Sequence, residues 1–95
     1  MPTGNVAVPG NNWVQIADSG LDALTFQNKS ERVIYVAGTA ANSPPSGDPK
    51  DWPYYDAGQG EVAVNATDIF AGVANVAYVW AYSPAFDGLV WRSHA

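Results

Sequence analysis

Ninety-five residues, with no cysteine and nine acidic against four basic side chains for a formal charge of −5, make one small domain without a disulfide framework or a thiolate metal site. Lys29, Arg32, Lys50 and Arg92 are scattered, so no basic stripe follows a phosphate backbone or an anionic membrane. With 47% hydrophobic and only 14% charged residues, and with four tryptophans, five tyrosines and three phenylalanines, some rings are left over for solvent or a partner.

Residues 1–11 (MPTGNVAVPGN) carry two prolines, two glycines and two asparagines, which predicts an extended arm with no period of its own. This segment lacks the basic and apolar regions of a signal peptide, and no apolar run approaches the roughly 20 residues of a membrane span. A protein made in a reducing cytoplasm is expected. Residues 12–95 then form the single domain.

From Trp13 the pattern turns strand-like. WVQIAD alternates Val14 and Ile16 with Gln15, and Asp18, Ser19 and Gly20 close it. LDALTFQN places Leu24 and Phe26 on one face with Thr25 and Gln27 on the other, before a polar turn at Asn28, Lys29 and Ser30. RVIYVAG is apolar on both faces, as an interior strand would be. Short turns between these three predict an antiparallel meander.

Residues 39–59 hold four prolines, too many for a helix or a central strand, and predict a long loop. Loops of this length are commonly functional, and Trp52, Tyr54 and Tyr55 pin its second half. GEVAVNA resumes the strand pattern with Val62 and Val64 facing in. Thr67 and Asp68 cap one helical turn that ends at Gly72. VAYVWAYS and GLVWRSHA close the chain. In the first of them Tyr78, Trp80 and Tyr82 share one face, and Ala77, Val79 and Ala81 the other. The small face packs on a second layer or a neighbour; the ring face fills a core or meets a partner. The prediction is an all-β fold, a small antiparallel β-sandwich or barrel of about six to seven short strands with one long Pro-rich loop.

Catalytic and metal-binding patterns are sparse. His94 is the single histidine, beside the C-terminus, and no Gly-x-Ser-x-Gly elbow accompanies it. Asp48, Asp51 and Asp56 lack the alternate-residue ladder of a calcium loop, and Pro49 and Pro53 interrupt them. They read as solvated loop acids. Gly58-Gln59-Gly60 leads into a strand rather than a helix, which removes a phosphate-loop reading. The triplets Asn28-Lys29-Ser30 and Asn65-Ala66-Thr67 match the glycosylation pattern by chance. A non-enzyme without cofactors is expected.

The segments NWVQIADSG, LTFQNKSERVIYVAG, GQGEVAV, DIFAGVANVAYVWA and VWRSHA resemble small structural proteins of tailed bacteriophages and prophages. The resemblance covers residues 12–95. It implies a virion component, a capsid decoration (cement) protein or a head–tail accessory protein, whose partners are the major capsid protein or other virion proteins. It brings no catalytic residue and no cofactor. The loop 39–59 is longer and more aromatic than that pattern leads one to expect.

On this reading Trp52, Tyr54 and Tyr55 of the loop, with Val6 and Val8 of the arm, make the outward contacts. Tyr78, Trp80, Tyr82 and Trp91 form the core or a subunit interface. A homo-oligomer such as a trimer would cover exposed rings and strand edges, with no nucleic acid or membrane involved. The rival from another class is a carbohydrate-binding β module on a host-facing virion protein.

Overall fold

A computed structural model describes residues 3–18, 21–70 and 72–93. Period-two alternation of large apolar and small or polar side chains produces the strands. In chain order they are β1 (Thr3–Val8), β2 (Trp13–Ala17), β3 (Leu24–Asn28), β4 (Ile34–Thr39), β5 (Tyr54–Tyr55), β6 (Gly60–Val64), β7 (Tyr78–Tyr82) and β8 (Gly88–Ser93). One helical turn, α1 (Ala66–Ile69), separates β6 from β7. The strands form two antiparallel four-stranded sheets, ordered β1-β8-β3-β6 and β2-β7-β4-β5. Val8, Leu24, Phe26 and Val90 of the first sheet meet Ile16, Ile34, Val36, Val79 and Ala81 of the second in one buried core. The fold is a small all-β sandwich, and burial of each large aliphatic side chain contributes about 1.5–3 kcal/mol.

Several expectations change once the sheets are assembled. Residues 3–8 are not a free arm: β1 pairs along its whole length with β8, from Thr3↔Ser93 to Val8↔Gly88. Val8 is fully buried and Val6 packs against the core, so Val8 makes no outward contact. The alternation there was masked by small residues, with Thr3, Asn5 and Ala7 outward and Val6 and Val8 inward. Met1 and Pro2 lie outside the described residues, as do the expected turn residues Ser19 and Gly20.

The meander is also replaced. β2 and β4 belong to one sheet and β3 to the other, so β3 pairs with neither β2 nor β4. The short connections cross from sheet to sheet, because Leu24 and Phe26 must face Ile34 and Val36 rather than lie beside them. The final strand β8 instead fills the gap between β1 and β3.

Within β6, Val64 is half-buried but Val62 is 79% exposed. The register shifts opposite Leu24 and Phe26, and Ala63 takes a positive φ of 49°. This bulge turns Val62 out and leaves Glu61 opposite Phe26. Thr25 Oγ1 accepts a hydrogen bond from the displaced Ala63 N–H at 2.9 Å. The helical turn starts two residues earlier than expected, capped by Asn65, whose side chain accepts from Thr67 N.

The Pro-rich loop carries structure of its own. Asp48 caps a 3-10 turn over Pro49–Asp51 by accepting from Lys50 N, and the chain then pairs Tyr54 and Tyr55 with Tyr35 and Ile34. Trp52 packs edge-on against Phe70, with ring centroids 5.9 Å apart and planes at 74°. Phe70 in turn lies over Gly38, where a Cβ would stand 2.5 Å from the ring. Trp52 and Tyr55 pin the second half of the loop, as the sequence predicts, whereas Tyr54 is exposed.

Two polar groups tie the ends of the sandwich. Arg92 of β8 reaches across, its Nε donating to Ile16 O at 3.0 Å and its Nη1 to Gly4 O at 3.2 Å. At the other end Asn28, only 2% exposed, donates from Nδ2 to Arg32 O at 2.7 Å and Tyr55 O at 2.9 Å. Its Oδ1 accepts from Ser30 N at 2.9 Å. Asn28 therefore joins β3, the turn after it and β5.

Candidate functional site: an aromatic sheet face and a neutral groove

Because Val14, Val36 and Ala81 face the core, their neighbours on β2, β4 and β7 face outward. The register brings them into cross-strand rows. Trp13 stands opposite Tyr82, Tyr82 opposite Tyr35, and Tyr35 opposite Tyr54, so one row of four rings crosses all four strands. A second row joins Gln15, Trp80 and Ala37, and a third pairs Tyr78 with Thr39. None of these side chains is charged.

The rings touch without lying flat. Trp13 and Tyr82 are 5.2 Å apart at 51°, and Tyr35 and Tyr54 are 6.4 Å apart at 71°. Trp80 is 7% exposed, although it points away from the core. Its Nε1 donates to Thr39 Oγ1 at 2.9 Å, and Thr39 Oγ1 donates to Ala41 O at 2.8 Å. Gln15 Nε2 reaches Asn42 Oδ1 at 2.6 Å. These bonds hold the edge of the face in place; Trp80 is largely covered, and Tyr54 is the ring of this face most open to solvent.

The predicted contact residues divide between surfaces. Tyr54 is 61% exposed and ends the ring row. Trp52 and Tyr55 point the other way and pack against the core. Tyr78, Trp80 and Tyr82 belong to the outward face, with the small side chains Val79 and Ala81 inside. Trp91 lies on the opposite sheet, across from Gln27 and Asn5. Trp13 and Tyr35 were not singled out in the sequence. The signal was present: each alternates with an inward aliphatic residue, but only strand pairing brings them into a row. His94 lies outside the described residues.

Tyr55 illustrates the inward side. Its ring meets Phe26 edge-on at 5.0 Å and 88°, and its hydroxyl donates to Glu61 Oε2 at 2.9 Å. Burial, then the hydrogen bond to Glu61 and its charge, hold the phenol far above the ordinary tyrosine range. The unfolded phenol ionises near pH 10 while the folded one keeps its proton, so unfolding releases a proton and stability falls as pH rises above about 10. Tyr55→Phe should remove this part of the alkaline loss. Urea midpoints at rising pH should show the gap between native and variant narrowing as the solution passes about pH 10.

A second feature lies where the outer sides of β3 and β6 meet. A groove of about 700 Å³ is lined by Thr25, Gln27, Gln59 and Trp91 and rimmed by Tyr54 and Val62. Its floor is the Gly58–Gly60 backbone. Gly58 N–H donates to Asn28 O at 2.8 Å, Asn28 N–H to Gln59 O at 2.8 Å, and Gln27 Nε2 to Gly58 O at 2.9 Å. Gly60 is required there, because a Cβ would overlap the Phe26 carbonyl oxygen.

Among the described residues no three His, Cys, Asp or Glu side chains gather as metal ligands, and no helix is long and apolar enough to cross a membrane. Asp48 spends its carboxylate on the cap of the loop turn. The arrangement offers ring surfaces and neutral hydrogen-bonding groups. Compared with family models, with curated proteins and with solved structures, the chain matches none.

Proposed function

We propose that this chain is a non-enzymatic structural protein of a bacteriophage virion, a decoration (cement) protein that binds the head lattice through the aromatic face of the second sheet. The observation that carries this reading is the row Trp13, Tyr82, Tyr35 and Tyr54, flanked by Trp80 and Tyr78 and free of charge. Tyrosine and tryptophan are enriched at protein interfaces, and charged residues are depleted at interface centres. The molecule measures 30 × 28 × 18 Å. One broad side matches the roughly 800 Å² per partner of a standard interface. The resemblance over residues 12–95 supplies the virion setting, and places a head–tail accessory role next in line.

Assembly also answers a need of the fold. β1 is an edge strand with no charge and no proline between Thr3 and Val8, so it lacks the usual guards against pairing. A trimer or another closed oligomer on the lattice would cover it. A partner that binds only the folded state adds stability by mass action.

Quantitative mass spectrometry of purified particles from the source tests the assignment. On the order of hundreds of copies per particle supports decoration, and a handful places the chain at the neck or tail; absence from particles overturns the virion reading. Within that experiment Tyr54→Ala should lower occupancy about tenfold or more, as loss of an exposed aromatic anchor does, with little change in melting temperature. Native occupancy in that variant would remove Tyr54 from the interface.

A further inference from the structure

We propose that the groove between Trp91, Tyr54 and Val62 is a binding site for a neutral saccharide. It lies at the edge of the first sheet, shares only Tyr54 with the aromatic face, and does not depend on the virion reading.

Three observations point to this ligand class. Tyr54 and Val62, at 61% and 79% exposure, both rim this one groove, with the half-exposed Trp91 beside them. Water-exposed apolar groups converge there. Next, no charged side chain lines the groove although the chain carries −5, so an ionic ligand would find no counter-charge. Its volume of about 700 Å³ falls within the roughly 300–1,000 Å³ of small-ligand sites.

The decisive feature is the pair of amides. Gln27 is committed at one end, because its Nε2 donates to Gly58 O at 2.9 Å. Gln59 is committed at the opposite end, because its Oε1 accepts from Asp56 N–H at 3.0 Å. Each bond settles which end of the amide is which. An acceptor, Gln27 Oε1, and a donor, Gln59 Nε2, are left over on two residues that line the groove, each held by its own anchored half. A sugar diol gives and takes hydrogen bonds from neighbouring hydroxyls, and such a fixed acceptor and donor match it. The C–H face of a pyranose is apolar and weakly positive, which suits the negative faces of Trp91 and Tyr54. Because the floor is bonded to β3 through Asn28 and Gln27, little ordering cost remains to be met on binding.

The test uses the intact chain. An array of neutral and acidic glycans is probed first, and the strongest neutral binder is then titrated while tryptophan fluorescence and amide NMR shifts are followed. Saturable binding of a neutral glycan is expected, with shifts at Gln27, Gln59 and Trp91. Gln59→Glu keeps the acceptor for Asp56 N–H but removes the free donor, so affinity should fall at least tenfold while the melting curve holds. Trp91→Ala should lose binding as well, and Gln59→Glu decides the matter if that variant fails to fold. The proposal is overturned if no neutral glycan binds saturably, if only charged glycans bind, or if Gln59→Glu binds as the native chain does. Particle occupancy of Gln59→Glu should stay at the native level, which separates this site from the proposed virion contact.

Discussion

Asn28→Asp should strongly destabilise the domain at neutral pH. The side chain is buried, and its Nδ2 group satisfies two carbonyl oxygens, Arg32 O and Tyr55 O. The substitution replaces that double donor with an oxygen aimed at both of them. Each buried group left unsatisfied costs about 1–3 kcal/mol, and more where a charge is buried with it. A loss of about 4 kcal/mol or more is expected, against a total of about 5–14 kcal/mol for a domain of this length.

The pH dependence distinguishes this mechanism from simple loss of packing. Burial beside two carbonyl oxygens favours the protonated carboxyl, so the introduced group's pKa is raised in the folded state above its unfolded value near 4. For a raised pKa the stability is greatest below the unfolded value and is lost as pH climbs through the folded one. Asn28→Ala removes the same bonds without adding a charge. The two variants should therefore differ widely at neutral pH and converge towards about pH 4, in urea unfolding followed by tryptophan fluorescence. A constant gap between them would show that the carboxylate is not the cause.

Gly60→Ala should cost about 3 kcal/mol or more, equivalent to roughly 12–24 °C in melting temperature for a chain of this size. A Cβ at Gly60 falls on backbone rather than on a movable side chain: it overlaps Phe26 O and stands 2.8 Å from Gln27 Cα. β3 cannot give way, because β8 is paired along its other side. β6 must lift instead, breaking the pairs Phe26↔Glu61 and Gln27↔Gly60 and the bond from Asn28 N–H to Gln59 O. Gly72→Ala is the control, since nothing lies within 4 Å of its would-be Cβ and its φ carries no left-handed strain. Differential scanning calorimetry should find the control within a few degrees of the native chain. Equal melting temperatures for Gly60→Ala and Gly72→Ala would refute the close approach.

Both positions were present in the sequence as turn or linker residues only. Asn28 stood in a polar triplet and Gly60 beside Gln59 and Gly58. Their weight comes from partners 27 residues away for Asn28 and about 34 away for Gly60, and no local window contains such a pair. The same applies to the ring row. Trp13, Tyr35, Tyr54 and Tyr82 are spread over about seventy residues and share a face only through the order β2-β7-β4-β5.

Local chemistry was legible where it acts locally. Leu24 and Phe26 face in and Thr25 and Gln27 face out, because side chains on a strand alternate strictly with position. The four prolines kept residues 39–59 out of α-helix, and the rings of Trp52 and Tyr55 found the core because burying them outweighs the cost of ordering the loop. Val62 defied the alternation because a bulge, created by pairing with β3, resets the parity midway along β6.

By itself, then, the sequence determined the all-β class, the inward and outward residues of β3, the division of β7 into a ring face and a small face, and the excess of uncharged rings, since period and composition are properties of short segments. The tertiary structure alone decided that residues 3–8 are an edge strand, that β1 to β4 alternate between sheets, and that rings from four strands form one surface. Strand pairing joins residues distant in the chain, and its register depends on how two whole faces fit together, which is energy no single segment contains.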